Sequence, residues 1–199
     1  MFIIPAKLFP RLIAALVLLL ASSSILAQDR LSRIEAKLEG SGIEQIPYQQ
    51  IAERIDAKTS PRPLILFDVR EPNEYAVGHL PEAIWISPDT DVKEFIEQYA
   101  DKLAGSDVVF YCSTGRRSSE LAQQVKDQLL ATQSSLSPPA NMKGGVFRWH
   151  DAALPLKNSA GSTTLIHPFN WTWRWSLERP EQTSFQPDFT ATGIMTDDV

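Results

Sequence analysis

Short apolar runs alternate with helical patterns along the middle of this 199-residue chain. The runs PLILFDV (63–69) and DVVFY (107–111) have strand length, and they lack the polar alternation of a strand with one face in water. A third candidate strand, AIWIS, spans 83–87, and apolar residues recur at helical spacing within 89–105 and 118–131. Strands that alternate with helices predict an α/β fold, a parallel sheet with helices on both faces.

The segments around this core complete the predicted organisation. Leu31, Ile34 and Leu38 have helical spacing and predict a lead-in helix, and Ile51 and Ile55 predict a second helix that ends at SPRP. A short last strand is predicted near Asn141 and Met142, in a region that is otherwise polar. The chain is therefore divided into four parts: a signal segment (1–27), the lead-in helix (28–42), the α/β domain (43–157) and a tryptophan-rich tail (158–199).

The first residues have the order of a secretory signal peptide. Lys7 and Arg11 precede an apolar run, and ILAQ follows it, which predicts Ala27 as the last residue removed. The alternative is an uncleaved membrane anchor over 12–27, although three serines interrupt that run and its length is just below the roughly 17 residues that a spanning helix needs. We expect an exported, periplasmic protein, with a membrane-anchored form as the alternative.

The overall charge excludes two classes of partner. The chain carries a formal net charge of -5 and contains no long basic stretch, so nothing in it predicts binding to nucleic acid or to anionic lipid. An apolar content of 43% with 22% charged residues is ordinary for a globular domain with a sizeable core.

Cys112 is the only cysteine in the chain, and it directly follows the DVVFY run. A lone cysteine is more often a small buried apolar residue than a nucleophile. In a parallel sheet, however, ligands bind at the carboxyl ends of strands, and the loop and helix that follow would direct N–H groups toward the sulfur. Gly115 allows that loop to curl, and Arg116 and Arg117 add positive charge, so the loop is predicted to stabilise a thiolate and to bind an anionic substrate.

Three motifs in this order resemble the rhodanese (sulfurtransferase) family. They are DVREPNEYAVGHLPEAIWIS, YCSTGRRS and MKGGVFRWHDAALPL. The family pattern is a strand ending in Asp-Val-Arg, a Gly-His-Ile/Leu-Pro turn, a Cys-x-x-Gly-x-Arg loop, and Gly-Gly before a tryptophan. The resemblance covers roughly residues 43–157 and implies a rhodanese-like parallel sheet.

The resemblance also implies a reaction. Cys112 would take a sulfane sulfur from an anionic donor such as thiosulfate, hold it as a persulfide, and pass it to a thiol or to cyanide, without a cofactor or metal. Arg117 would stiffen the loop, Arg116 would contact the donor, and Arg70 would be a further substrate contact. The backbone N–H groups of the loop residues Ser113, Thr114, Gly115, Arg116 and Arg117 would bind the persulfide. The structural residues implied near the site are Asp68, Glu74, His79, Gly144 and Gly145.

Two other functions remain as alternatives. One is a cysteine-dependent phosphatase, but related phosphatases place five residues between cysteine and arginine, whereas four separate Cys112 from Arg117. The other is a sulfur carrier or binding module with little turnover. His150 and His167 have no metal-ligand spacing with any acid or cysteine, and no metal site is predicted.

The tail and the end of the domain carry further expectations. Trp171, Trp173 and Trp175 alternate by two, which predicts a strand with an aromatic face after a linker at SAGST. The tail is interpreted as a strap over the domain surface, with a docking surface for a partner protein as the alternative. Ala153 stands where the family often has glycine, a replacement that we expect to be tolerated unless the position requires a positive φ.

Overall fold

The computed structural model describes residues 30–57 and 62–188, and the predicted signal segment lies outside these residues. The described residues contain five strands of one sheet: β1 (Gln45–Pro47), β2 (Leu64–Asp68), β3 (Ile84–Trp85), β4 (Asp107–Tyr111) and β5 (Ala140–Lys143). Their order in the sheet is β1-β5-β4-β2-β3, and every pairing is parallel. The predicted α/β fold is confirmed.

Helices cover both faces of this sheet. Along β4, Val109 and Tyr111 belong to one buried cluster and Val108 and Phe110 to another, so both faces of the strand are dry. The helices are α1 (30–39), α2 (Tyr48–Ala57), α3 (Pro72–Val77), α4 (Val92–Leu103), α5 (Arg116–Ala131) and α6 (Gly145–Asp151). The first cluster includes residues of α1, α2 and α6, and the second includes residues of α4 and α5.

Within the described ranges, none of the helices has both the length and the hydropathy to cross a membrane.

The tail differs from the sequence prediction in two places. The predicted linker is an antiparallel hairpin of β6 (Leu156–Asn158) and β7 (Gly161–Thr163). The predicted aromatic strand is instead a short helix, α7 (Trp171–Arg174), because the side chain of Asn170 caps it by accepting a hydrogen bond from the N–H of Trp173 at 3.1 Å.

The tail belongs to the core of the domain. Ile166, Trp173 and Leu177 are buried in the same cluster as Phe147 of α6, and the rings of Trp173 and Phe147 lie 5.5 Å apart. This packing supports the interpretation of the tail as a strap. Trp171 and Trp175, by contrast, are 61% and 66% exposed.

Ala153 has a φ of +57°, so the position is one at which glycine is favoured. It follows the end of α6 and donates its N–H to the carbonyl of His150. A residue in the left-handed conformation often ends a helix in this way.

Ala153→Gly is therefore expected to raise the free energy of unfolding by about 1 kcal/mol, measured by urea denaturation. Ala152→Gly is the matched control: Ala152 has a φ of −79°, and glycine there should lower stability. Equal effects of the two substitutions would contradict this account.

Candidate active site

Cys112 lies at the carboxyl end of β4, in the loop that leads into α5. The side chain is 1% exposed, and the N–H of Gly115 donates a hydrogen bond to its Sγ at 3.2 Å. Gly115 has a φ of +91°, which lets the chain turn back on the sulfur before α5 begins at Arg116. The predicted curl at Gly115 is confirmed, and α5 begins two residues earlier than the sequence predicts.

A glycine pair at the start of α6 packs against the backbone of this loop. Gly144 and Gly145 have φ values of +75° and +58°, and α6 begins at Gly145. The N–H of Val146 donates to the carbonyl of Cys112 at 2.8 Å, and the N–H of Phe147 donates to the carbonyl of Ser113 at 3.1 Å. The first turn of α6 therefore fixes the loop that carries the cysteine.

Glu74 and Arg117 fix the loop from a second side. Arg117 lies 2.9 Å from one carboxylate oxygen of Glu74, and its Nη2 donates to the hydroxyl of Ser113 at 3.1 Å. That hydroxyl in turn donates to Glu74 at 2.7 Å. The predicted stiffening role of Arg117 is consistent with these contacts, because the side chain binds the loop it terminates.

The charges of this pair are maintained by their surroundings. Burial alone would raise the pKa of Glu74, but Arg117, Arg70 and the hydroxyl of Ser113 lower it below its ordinary value. Burial alone would lower the pKa of Arg117, but Cys112 and Glu74 raise it. Both side chains are therefore ionised at neutral pH.

Glu74→Gln is expected to lower the free energy of unfolding at pH 7 by about 2 kcal/mol, because it leaves the charge of Arg117 without its partner. The folded-state pKa of Glu74 is lowered, so its contribution is present above the ordinary glutamate pKa of 4.5 and disappears as the pH falls through the folded-state pKa. Urea denaturation of both proteins from pH 7 to pH 3 should show the difference shrinking at the acidic end. Glu82→Gln, at an exposed ion pair with Lys157, is the control and should change stability by less than about 1 kcal/mol.

Arg70 does not contact the cavity above Cys112, which corrects its assignment as a substrate contact. It is fully buried, with its Nη2 2.6 Å from Asp68 and donating to the carbonyl of Gly78 at 2.8 Å. The charge of Asp68 raises the pKa of Arg70 against the effect of its burial. Arg70 therefore ties the end of β2 to the turn after α3, and its role is structural.

His79 lies in that turn and has the structural surroundings predicted for it. Its ring stacks on Tyr75 with centroids 3.7 Å apart, and its Nδ1 is 2.9 Å from the Tyr75 carbonyl. Its backbone pairs with Lys157 of β6. Burial lowers the pKa of His79, so the ring is neutral at pH 7.

A cavity of about 580 Å³ opens above Cys112. The loop contributes Ser113, Thr114, Arg116 and Arg117 to its lining. Two segments that sequence reasoning did not assign to the site complete it: α1, and residues 169–173 of the tail. The sequence did contain a signal for the contribution of α1, because its basic residues Arg30, Arg33 and Lys37 recur at helical spacing.

Comparison with known proteins decides the family. The model of the rhodanese-like domain matches residues 48–152, just over half of the chain. The chain belongs to the rhodanese-like family. The matched residues include the cysteine loop, Glu74 and the glycine pair, while α1 and the tail lie outside them.

Two relatives of this rhodanese-like chain are named as sulfurtransferases. The thiosulfate:glutathione sulfurtransferase of Saccharomyces cerevisiae is 34% identical over 107 residues, which are 49% of this chain and 75% of the relative. The Bacillus subtilis protein YtwF, which bears a provisional sulfurtransferase name, is 31% identical over 113 residues, 57% of this chain and 96% of the relative.

One solved structure shows the same fold at low identity. It is a Rhodopseudomonas palustris protein of unknown function, described as a candidate tyrosine phosphatase. It is 22% identical, the TM-score is 0.50, and the match covers 64% of this rhodanese-like chain and 93% of the other. At this identity the similarity concerns the fold alone.

Proposed function

We propose that this protein is a sulfurtransferase that carries sulfane sulfur as a persulfide on Cys112. The sulfur would come from an anionic donor such as thiosulfate and pass to a thiol or to cyanide. The names of the two relatives support this class of reaction, and the yeast relative's name includes both a thiosulfate donor and a thiol acceptor.

The position of the sulfur carries the proposal. Cys112 lines a cavity, its Sγ accepts a hydrogen bond from the N–H of Gly115, and the residue lies just before the N-terminus of α5. The N–H of Gly115 and the positive end of α5 stabilise negative charge on the attacking sulfur and on the persulfide that it forms. Such a site needs no protein base to stabilise the anion that forms.

Sulfur transfer consists of two half-reactions. The thiolate of Cys112 attacks the outer sulfur of thiosulfate, the sulfur–sulfur bond of thiosulfate breaks, and sulfite leaves with the bonding electron pair. In the second half, cyanide or an acceptor thiolate attacks the outer sulfur of the protonated or anionic persulfide. The bond between the two sulfurs breaks, its electron pair returns to Cys112, and the thiolate is restored.

The loop favours this reaction over phosphate-ester hydrolysis. Four residues separate Cys112 from Arg117, and Arg117 is occupied by Glu74 and Ser113. A phosphate would need N–H groups spread around a wider loop, together with an arginine free to bind its oxygens.

Turnover distinguishes the enzyme from a sulfur carrier. With thiosulfate and cyanide in excess, the proposal predicts many molecules of thiocyanate per molecule of protein and no hydrolysis of p-nitrophenyl phosphate. Release of thiocyanate that stops at a single equivalent would instead support the carrier, and hydrolysis of the phosphate ester without thiocyanate would support a phosphatase.

A further inference from the structure

Phe169 of the tail lines the cavity above Cys112 and has a strained backbone. Its φ is +64°, and the N–H of Asn170 donates to the carbonyl of Pro168 at 2.7 Å. Phe169 is therefore the central residue of a three-residue γ-turn of the rare, strained form. Such strain persists only where the surrounding structure imposes it, and it is concentrated at functional sites.

The chain on either side of this turn is attached to the domain. Ile166 is buried, its N–H donates to the carbonyl of Gln182 at 3.2 Å, and its carbonyl accepts the N–H of Ser184 at 3.0 Å. On the other side, Asn170 caps α7, whose Trp173 is buried in the core. Both ends of the turn are fixed, so the aromatic ring at its centre has a defined position.

The imidazole of His167 makes a further contact with the turn. The N–H of Phe169 donates to Nδ1 of His167 at 3.0 Å. Because a backbone N–H can only donate, Nδ1 carries no proton and the imidazole is neutral. His167 is 5% exposed, and its ring meets the ring of Phe185 edge to face, with centroids 5.2 Å apart. The imidazole is therefore a fixed acceptor for the strained turn.

The surroundings of His167 keep this acceptor unprotonated at neutral pH. Burial lowers the pKa of His167, Glu74 raises it in part, and Arg70 and Arg117 lower it further, so the pKa lies below the ordinary value of 6.5. A proton on Nδ1 would abolish the hydrogen bond and would add a positive charge facing the two arginines. The hydrogen bond is therefore present at pH 7 and is lost as the pH falls through this lowered pKa.

The ring of Phe169 packs on Arg117, which binds the cysteine loop. The guanidinium carbon lies 5.3 Å from the centre of the ring, a distance at which a cation is attracted to an aromatic face. The same guanidinium contacts Glu74 at 2.9 Å and donates to the hydroxyl of Ser113 at 3.1 Å. Phe169 therefore covers an arginine that the loop itself holds on its other side.

This arginine acts on the reactive sulfur through its charge. Burial lowers the pKa of Arg117, but Cys112 and Glu74 raise it above its ordinary value, so the guanidinium and a negative sulfur stabilise each other. Water that reached the guanidinium would screen this interaction, because the effective dielectric constant would rise. The ring of Phe169 excludes water from one side of Arg117 and so strengthens its effect on the sulfur.

We propose that His167 and Phe169 are positioning residues for sulfur transfer: the neutral imidazole holds the Phe169 ring on Arg117, and the covered guanidinium stabilises negative charge on the sulfur of Cys112. This inference rests on the proposed function, because it concerns the attack of that sulfur on the donor. Both residues lie outside the region that the rhodanese-like model matches, 48–152. The tail thus has a role in the reaction besides its role in stability.

Phe169→Gly tests the contribution of the ring. Glycine is favoured at the positive φ, so the turn should form and the fold should be retained. The maximal rate constant for loading by thiosulfate, followed by intact mass, is expected to fall roughly fivefold per folded molecule. The thiosulfate concentration that gives half of this rate should stay within about twofold of the wild-type value, because Arg117 acts on the sulfur and Glu74 and Ser113 occupy it.

Trp175→Ala is the matched control for the loss of an aromatic ring. The Trp175 ring also faces an arginine, Arg174, at 5.8 Å, but Trp175 is not one of the described residues that line the cavity. This variant should load at the wild-type rate. An equal fall in both variants, wild-type loading by Phe169→Gly, or a change confined to the half-saturating concentration would overturn the role of Phe169 as a positioning residue.

Two substitutions of His167 test the imidazole. His167→Asn retains an acceptor, because an asparagine side chain accepts the N–H two residues further on, and asparagine does not titrate. His167→Leu has no acceptor. At pH 7.5 we expect His167→Asn to load like the wild type and His167→Leu to load about as slowly as Phe169→Gly. Urea denaturation and circular dichroism give the folded fraction to which each rate constant is normalised.

The pH dependence separates positioning from a purely structural role. Between pH 7.5 and pH 4.5 the ratio of the wild-type loading rate constant to that of His167→Asn is expected to fall roughly fivefold, because only the wild type loses its acceptor. Effects of pH on Cys112 and on thiosulfate are common to both proteins and cancel in the ratio. A ratio that stays constant, or equal loading by His167→Asn and His167→Leu at pH 7.5, would overturn the role of His167. A wild type that gains no sulfur at any pH would instead overturn the proposed function.

Discussion

Gly145→Ala is expected to reduce the kcat/KM for sulfur transfer by about 10²-fold, because the added Cβ clashes with the backbone of the cysteine loop and displaces it. A Cβ at this position would overlap the carbonyl oxygen of Cys112 and lie 2.7 Å from that of Ser113. The loop has to move, and the hydrogen bonds from Val146 and Phe147 to these two carbonyls would be lost or lengthened. The measurement is steady-state thiocyanate formation, normalised to the folded fraction measured by circular dichroism.

Gly105→Ala separates this clash from backbone strain. Gly105 also has a positive φ, +76°, but no atom lies within 4 Å of a Cβ built there. The control should lose about 1 kcal/mol of stability and retain its activity. If Gly145→Ala were as active per folded molecule as Gly105→Ala, the glycine pair would have no role in positioning Cys112.

Truncation after Ser159 is expected to prevent stable folding. It removes Ile166, Trp173 and Leu177 from the main core, and each buried side chain of this size contributes about 1.5–3 kcal/mol, so the loss approaches the whole stability of a typical domain. Trp173→Ala alone should lower the free energy of unfolding by about 3–5 kcal/mol in urea denaturation.

The exposed tryptophans provide the matched control for the tail. Trp171→Ala/Trp175→Ala removes two side chains of the same type that are largely exposed, and should change stability by less than about 1 kcal/mol. Stability that is unchanged by truncation would contradict the strap and favour a tail that docks a partner protein.

The sheet was predictable because a strand that is buried on both faces has an unbroken apolar run in the sequence. The run DVVFY predicts a strand with the same bounds as β4, because four consecutive apolar residues on a strand can all be buried only when both faces of the sheet are covered. The tail was not predictable from alternation, because a short aromatic segment is compatible with both periods. Asn170 caps a helix at this position, and in that helical conformation only Trp173 of the three tryptophans faces the core.

The site was predictable where a local motif creates it. Cys112, Gly115 and Arg117 are close in sequence, and the Gly144–Gly145 turn was correctly placed beside them. The prediction that Arg70 contacts substrate is wrong, because the sequence does not show whether a charge at a strand end points into a cavity or into the core. The contribution of α1 depends on long-range ion pairs such as Glu35 with Arg148, which no local pattern reveals.

The most direct test of the central claim is the intact mass of the purified protein after thiosulfate and again after cyanide, beside Cys112→Ser. Because the chain contains one cysteine, any persulfide has a single possible position. The account predicts that the wild type gains the mass of one sulfur atom from thiosulfate and loses it to cyanide, while Cys112→Ser gains none. A wild type that gains no sulfur, or a Cys112→Ser variant that gains as much, would contradict persulfide transfer through Cys112.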